Sequence, residues 1–150
     1  TLTSVIFLRP SLVKISDEIV SLIAKEDNVV VLASVNASGI PNISPRYVMM
    51  ILDDEKLVFA DLYMNKTFAN IKKWSKVAVA IVDKANRGGF QLKGDVEKIT
   101  DPNIIAQCTK KLKDLKFDSI PIFVWALGVR EIYSIAPSAL SKMPLFSVYG

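Results

Sequence analysis

The chain has 150 residues, of which 51% are hydrophobic and 23% are charged, and this balance predicts a single globular domain over residues 1–150. Its net charge of +4 is too mild for the dense basic patch of a nucleic-acid-binding protein, and the absence of histidine removes the usual general base and the commonest metal ligand. The single cysteine, Cys108, cannot form an internal disulfide, which favours a reducing cytoplasm. The apolar run at residues 5–8 is too short to span a bilayer, so we expect a cytoplasmic protein that does not enter the membrane.

The first half of the sequence predicts one helix followed by three strands. Ser16 is a suitable helix cap, and the two acids after it suit the positive end of a helix, so we expect a helix over residues 16–26. Val29–Val35 is a β-branched run that predicts a strand and is closed by a glycine turn. Residues 40–52 alternate in polarity but contain two prolines, which indicates a kinked or edge strand. A polar turn then leads into a third strand at residues 57–60.

The second half of the sequence adds two helices and three strands. We expect a short helix over residues 65–75, a central strand over 77–82, an amphipathic strand over 90–97, a helix over 104–115 and a buried strand over 122–127. Cys108 lies on the apolar stripe of the second of these helices and is predicted to be a buried small hydrophobe. Residues 137–150 show no clear period.

These elements predict a mainly β, α+β fold with about six strands and three flanking helices. The short hairpin turns favour antiparallel pairing, and closure into a small barrel would remove exposed strand edges.

The order of these segments resembles a known family. A helix leads into VVVLASVNASGIPNISPRYVMM, then KLVFADLYMNKTFANIKKWSKVAVAIV, then GGFQLKGDVEKITDP. Together they are similar to the FMN-binding split β-barrel family related to pyridoxamine 5′-phosphate oxidase, over residues 16–102. The resemblance implies a six-stranded antiparallel split barrel that binds FMN between the two subunits of a homodimer.

The resemblance places the flavin phosphate between a strand and the start of the short helix. The family's phosphate-binding positions correspond here to Arg46 and Lys66, with Thr67 as a further donor. A helix start favours an anion because its N–H groups are free and its dipole is positive there, and arginine can bind two phosphate oxygens at once. The alternative for Lys66 is a solvated lysine, and for Arg46 an ion pair at the barrel mouth. Asn65 replaces the arginine or serine common in the family before this lysine.

The isoalloxazine ring would lie against main-chain groups of two segments. The matching residues are Tyr47, Val48, Met49, Asp61 and Leu62, and the alternative for each is ordinary sheet pairing. Gln91, on the polar face of the amphipathic strand, can donate to a flavin carbonyl or remain solvated. Trp125 can stack near the flavin or belong to the core.

The implied function is that of an FMN-dependent oxidoreductase with a small-molecule electron donor and acceptor. Pyridoxamine phosphate oxidation itself is a lesser alternative, because that enzyme usually carries an arginine and a histidine near its end, whereas this chain ends in REIYSIAPSALSKMPLFSVYG. Two further alternatives are a non-catalytic flavin-binding electron carrier and a reductase that binds a deazaflavin. The residues that would carry out catalysis are left open.

Overall fold

A computed structural model describes residues 11–138 and 142–149. The apolar run at residues 5–8 and part of the C-terminal tail lie outside the described residues. The helices are α1 (Asp17–Ala24), α2 (Lys66–Lys73) and α3 (Pro102–Asp114). The strands are β1 (Val29–Val35), β2 (Pro41–Pro45), β3 (Met50–Leu52), β4 (Lys56–Asp61), β5 (Lys76–Asp83), β6 (Gly88–Lys98), β7 (Phe123–Ser134) and β8 (Phe146–Ser147).

Helix α1 has Ser16 as its cap, as predicted, but begins at Asp17, one residue after the expected start, and ends earlier than expected. The Ser16 hydroxyl accepts from the Ile19 amide at 3.4 Å, which satisfies one of the free N–H groups of the first turn. The expected end at residue 26 is wrong by two residues, because Lys25 is already extended. The Leu22 carbonyl in the last turn accepts from the Lys25 backbone amide at 3.3 Å and from the side chain of Asn28 at 3.0 Å.

All the strand pairs of the described residues are antiparallel, as predicted, in the order β2-β1-β5-β6-β7-β4-β3. The described chain has eight strands where six are expected, for two reasons. Residues 40–52 form two strands at opposite edges of the sheet, because the chain leaves β1 after the Arg46 amide bonds the Val30 carbonyl and then crosses to β4. The tail, which shows no period, contributes β8, which pairs with β7.

Two apolar clusters lie on the two sides of β4 and β7. The inner cluster fills the barrel, where Phe59 and Trp125 stack with ring centroids 4.8 Å apart and α1 contributes Ile19. The second cluster joins the opposite faces of the same strands to α3 and includes Cys108, which is fully buried as expected. Burial raises the pKa of the Cys108 thiol, so the thiol stays protonated and behaves as an apolar side chain.

The outward side of β2, β1 and β5 is apolar and partly exposed. The strand register places its ten side chains on one side, and we call this set the outer apolar face: Val29, Val31, Ala33, Val35, Pro41, Ile43, Pro45, Ala78, Ala80 and Val82. Ile43 is 72% exposed and none of the ten is fully buried. Contiguous apolar surface of this kind is uncommon on a monomer and is typical of an interaction surface.

Among residues 11–138 and 142–149, no helix is long and apolar enough to cross a bilayer.

Candidate functional site

The candidate site begins at the segment that joins the two edges of the sheet. Residues 46–49 leave β2 and enter β3, crossing from one edge to the other. The Arg46 amide still donates to the Val30 carbonyl of β1 at 2.9 Å, and the Met49 amide donates to the Val58 carbonyl of β4 at 2.8 Å. The segment is therefore held at both ends and bridges the gap in the barrel.

A buried ion pair joins the first residue of this segment, Arg46, to the end of β4. Arg46 Nη1 pairs with Asp61 Oδ1, and Arg46 Nε donates to the Ser44 hydroxyl at 3.3 Å. The other oxygen of Asp61 accepts from the Trp125 indole N–H at 2.9 Å. Arg46 is 11% exposed and Asp61 is not exposed at all, so both charges are removed from water and compensate each other.

The same network continues to the start of α2. The Thr67 hydroxyl lies 3.2 Å from the Ser44 hydroxyl and accepts from the Asn42 amide at 3.1 Å. Asn65 caps the helix, because its side-chain oxygen accepts from the Phe68 backbone amide at 3.0 Å. This structural role explains why asparagine is found at position 65. Lys66, the first residue of the helix, is exposed and makes no ion pair with the described residues.

Several donors at this point have no partner among the described residues. Arg46 Nη2 is buried and unpaired there. In the first turn of α2, the amides of Phe68 and Ala69 are bound by Asn65, whereas no described group accepts from those of Lys66 and Thr67. A buried, unpaired guanidinium nitrogen close to free helix N–H groups is suited to an anion.

A cavity of about 680 Å³ lies beside the bridging segment. Residues 45–48 form one wall, and the end of α1 and Lys111 of α3 form others. The Lys111 ammonium donates to the Val48 carbonyl at 3.1 Å, and the exposed Tyr47 ring meets Phe117 edge to face at 5.8 Å. The cavity therefore combines apolar walls with a few charged groups, which are three cations and the carboxylate of Glu26, as small-molecule sites do.

The main-chain groups expected to border a flavin ring fall into two sets. Tyr47 and Val48 lie between β2 and β3, so their main-chain groups are not part of the regular hydrogen bonding between strands. Met49, by contrast, donates its amide to β4, and the Asp61 carbonyl accepts from the Ile122 amide at 2.8 Å. Leu62 packs against the cluster beneath α3.

Gln91 is separated from this network within one chain. It pairs with Ala80 and Tyr133 in the sheet and lines a different cavity, of about 370 Å³, with Lys93 and Arg130. Since Ala80 belongs to the outer apolar face, Gln91 borders that face. The structure thus brings together Arg46, Asp61, Thr67 and Trp125, but not Gln91.

The sequence analysis assigns only the main chain of Asp61 to the site and misses the role of its side chain. A signal was present, because alternation along β4 places Asp61 on the same side as Leu57 and Phe59, whose side chains point into the barrel. An acid at the inward position of an apolar strand requires a buried partner. For Trp125 the sequence indicates flavin stacking or core packing, and nothing in it indicates the hydrogen bond to Asp61.

Known proteins resemble this chain in sequence and in fold. The family model described as pyridoxamine 5′-phosphate oxidase matches residues 15–135. An uncharacterised protein of Methanocaldococcus jannaschii is 30% identical over 132 residues, which are 87% of each chain. The crystal structure of HupZ from Group A Streptococcus has a TM-score of 0.71 at 26% identity and covers 83% of this chain and 97% of its own. An FMN-binding protein of Syntrophomonas wolfei shares the fold, with a TM-score of 0.64 at 18% identity over 79% of this chain and 84% of its own.

Proposed function

This chain belongs to the pyridoxamine 5′-phosphate oxidase family, and on that premise we propose that it binds FMN and works as an FMN-dependent oxidoreductase. The phosphate would lie between Arg46 and the first turn of α2, and the isoalloxazine ring would lie along the bridging segment. The electron donor and acceptor would be small molecules.

The observation that best supports the proposal is a group of hydrogen-bond donors without acceptors among the described residues, at Arg46 and at the start of α2. Arg46 Nη2 is buried without a partner among the described residues, and the Ser44 hydroxyl links Arg46 to Thr67. Within residues 11–138 and 142–149, Lys66 makes no ion pair, and the backbone amides of Lys66 and Thr67 have no acceptor. A phosphate ester presents acceptors and close to two negative charges, so these residues fit the group.

When bound, the flavin supplies the hydride and electron chemistry, which suits a chain without histidine. The chain's own contribution is to bind the phosphate, to orient the ring along Tyr47 and Val48, and to place Lys111 close to it. An electron carrier would bind flavin equally well. Rapid bleaching of the bound flavin by reduced nicotinamide separates an oxidoreductase from a carrier, in which the flavin would stay oxidised.

We expect Lys66→Ala to lower the affinity for FMN by about two- to fivefold. Lys66 is exposed, and an exposed ion pair contributes about 0.2–1 kcal/mol, where each 1.4 kcal/mol corresponds to about tenfold in Kd. Arg46→Ala is expected to lower the affinity at least as much, because it removes a donor and leaves the Asp61 carboxylate without its countercharge. Quenching of flavin fluorescence during titration measures both, and the visible spectrum and the mass of released cofactor identify what the purified protein carries.

Lys73→Ala provides a matched control. Lys73 lies in the last turn of the same eight-residue helix, so its replacement removes an equal charge away from the proposed phosphate position. FMN affinity should be unchanged in this variant. Unchanged affinity in both Lys66→Ala and Arg46→Ala, with circular dichroism showing folded proteins, would contradict the assignment of the site.

We also propose that the protein is a homodimer whose second copy covers the outer apolar face. Support comes from the exposure of Ile43, Val29 and Val35 at 72%, 48% and 41% on a continuous apolar surface. Burial of such surface contributes about 25 cal/mol per Å². Gln91 borders this face, so a second copy would lie against it.

Ile43→Asp is expected to convert the dimer to a monomer, because it places a charge in the apolar interface while disturbing no buried contact of the single chain. Size-exclusion chromatography with light scattering measures the mass. Ile120→Asp is the control, since Ile120 is 77% exposed, lies outside the outer apolar face and should leave the dimer intact. A wild-type monomer that retains flavin would refute the dimer.

A further inference from the structure

The cation that would bind the flavin phosphate is already paired with a carboxylate of the same chain. Asp61 has no exposed surface, and both of its oxygens are bound, one by Arg46 and the other by Trp125 at 2.9 Å. Trp125 is itself fully buried and stacked on Phe59, with ring centroids 4.8 Å apart. The Asp61 side chain is therefore held beside Arg46 by both of its oxygens, and it would stay there when an anion binds.

This pairing reduces the attraction that a phosphate would experience. The charges of Arg46 and Asp61 cancel locally, so of the two cations assigned to the phosphate only Lys66 has no countercharge in the part of the chain that the structure describes. Lys66 is exposed, and an interaction in solvent is weakened by the high dielectric and by salt. Two of the five guanidinium N–H groups of Arg46 are already donating, and Nη2 is the nitrogen that has no partner among the described residues.

We propose that this protein binds its flavin weakly and reversibly, and that the affinity is low because Asp61 competes with the flavin phosphate for Arg46. The inference rests on the proposed FMN binding and adds how that binding is regulated. One consequence concerns specificity: since the phosphate contributes little, riboflavin, which lacks it, binds nearly as well as FMN.

The test compares FMN with riboflavin in the wild type and in Asp61→Asn. Asparagine has the same shape and can still accept from the Trp125 indole, but it does not neutralise Arg46. Arg46 then becomes a buried charge without a countercharge, and a bound phosphate supplies one. The variant should bind FMN at least about tenfold more tightly than the wild type does, which is about 1.4 kcal/mol, while its affinity for riboflavin should change less than twofold.

Thermal unfolding gives a second readout. Without flavin, Asp61→Asn should melt below the wild type, and FMN should raise its melting temperature more than it raises that of the wild type. Asp83→Asn is the matched control, because Asp83 is another buried carboxylate, 8% exposed, whose partner Asn86 lies in the turn that joins β5 to β6. Its FMN affinity should equal that of the wild type.

The wild type alone decides the question if Asp61→Asn does not fold. FMN should be lost during gel filtration, and its Kd should be within about tenfold of that of riboflavin. FMN retained through gel filtration with a preference of more than a hundredfold over riboflavin would overturn the inference and leave the proposed FMN binding intact, as would unchanged FMN affinity in a folded Asp61→Asn. Failure of both flavins to bind wild type would overturn the proposed function, and the inference with it.

Discussion

Gly94→Ala should lower the free energy of unfolding by about 3 kcal/mol or more, at the upper end of what an extra methyl group costs in a packed interior. Gly94 lies at the irregularity in the pairing of β6 with β7, where the two strands approach closely. A Cβ atom on Gly94 would lie 1.8 Å from the Gly128 carbonyl oxygen and 2.9 Å from its carbon. Backbone atoms cannot rotate aside as a side chain can, so the central strands would have to separate.

Thermal unfolding followed by circular dichroism measures this effect. For a domain of this size a loss of 1 kcal/mol lowers Tm by about 3 °C, so a decrease of about 10 °C is expected. Gly128→Ala on the facing strand is the control, because its Cβ would lie 3.2 Å from the movable tip of the Leu12 side chain and 3.8 Å from the Asp95 carbonyl oxygen, an ordinary contact distance, and its φ is not positive. This control should cost about 1 kcal/mol or less. Equal losses of stability in the two variants would show that the close approach of the strands is not the reason why glycine is required at position 94.

Elements with strong local signals were predictable from the sequence. Ser16 marks the start of α1, β-branched residues mark β1, and the apolar stripe containing Cys108 marks α3. Each signal acts over a few residues, because a cap binds amides within one turn and a side-chain period is set by local backbone geometry. The order of these elements was sufficient to indicate the family.

Features set by distant parts of the chain were not predictable in the same way. Alternation in residues 40–52 identifies Arg46 as lying on the side opposite Tyr47, but it does not show that the chain crosses to another sheet edge after Pro45. The pairing of Arg46 with Asp61 depends on that crossing. Alternation also marks Asp61 as inward-pointing, and only the fold shows that Arg46 and Trp125 meet it.

Trp125 is the second position where a large loss is expected, and two substitutions separate its packing from its hydrogen bond. Trp125→Ala should reduce the free energy of unfolding by about 3–5 kcal/mol, because it empties the space of a fully buried indole stacked on Phe59. Trp125→Phe keeps an aromatic ring but removes the donor to Asp61. A buried acceptor that loses its partner costs about 1–3 kcal/mol, so an intermediate loss is expected.

Urea denaturation followed by far-UV circular dichroism measures these losses, and Trp74→Phe is the control. Trp74 is 47% exposed, so its replacement should change stability by no more than about 0.5 kcal/mol. Because phenylalanine is also smaller than tryptophan, a double-mutant cycle of Trp125→Phe with Asp61→Ala, which removes the acceptor, is needed to isolate the hydrogen bond from the packing. A coupling energy near zero would mean that Trp125 stabilises the barrel by packing alone, and that Asp61 is held beside Arg46 by the ion pair without help from the indole.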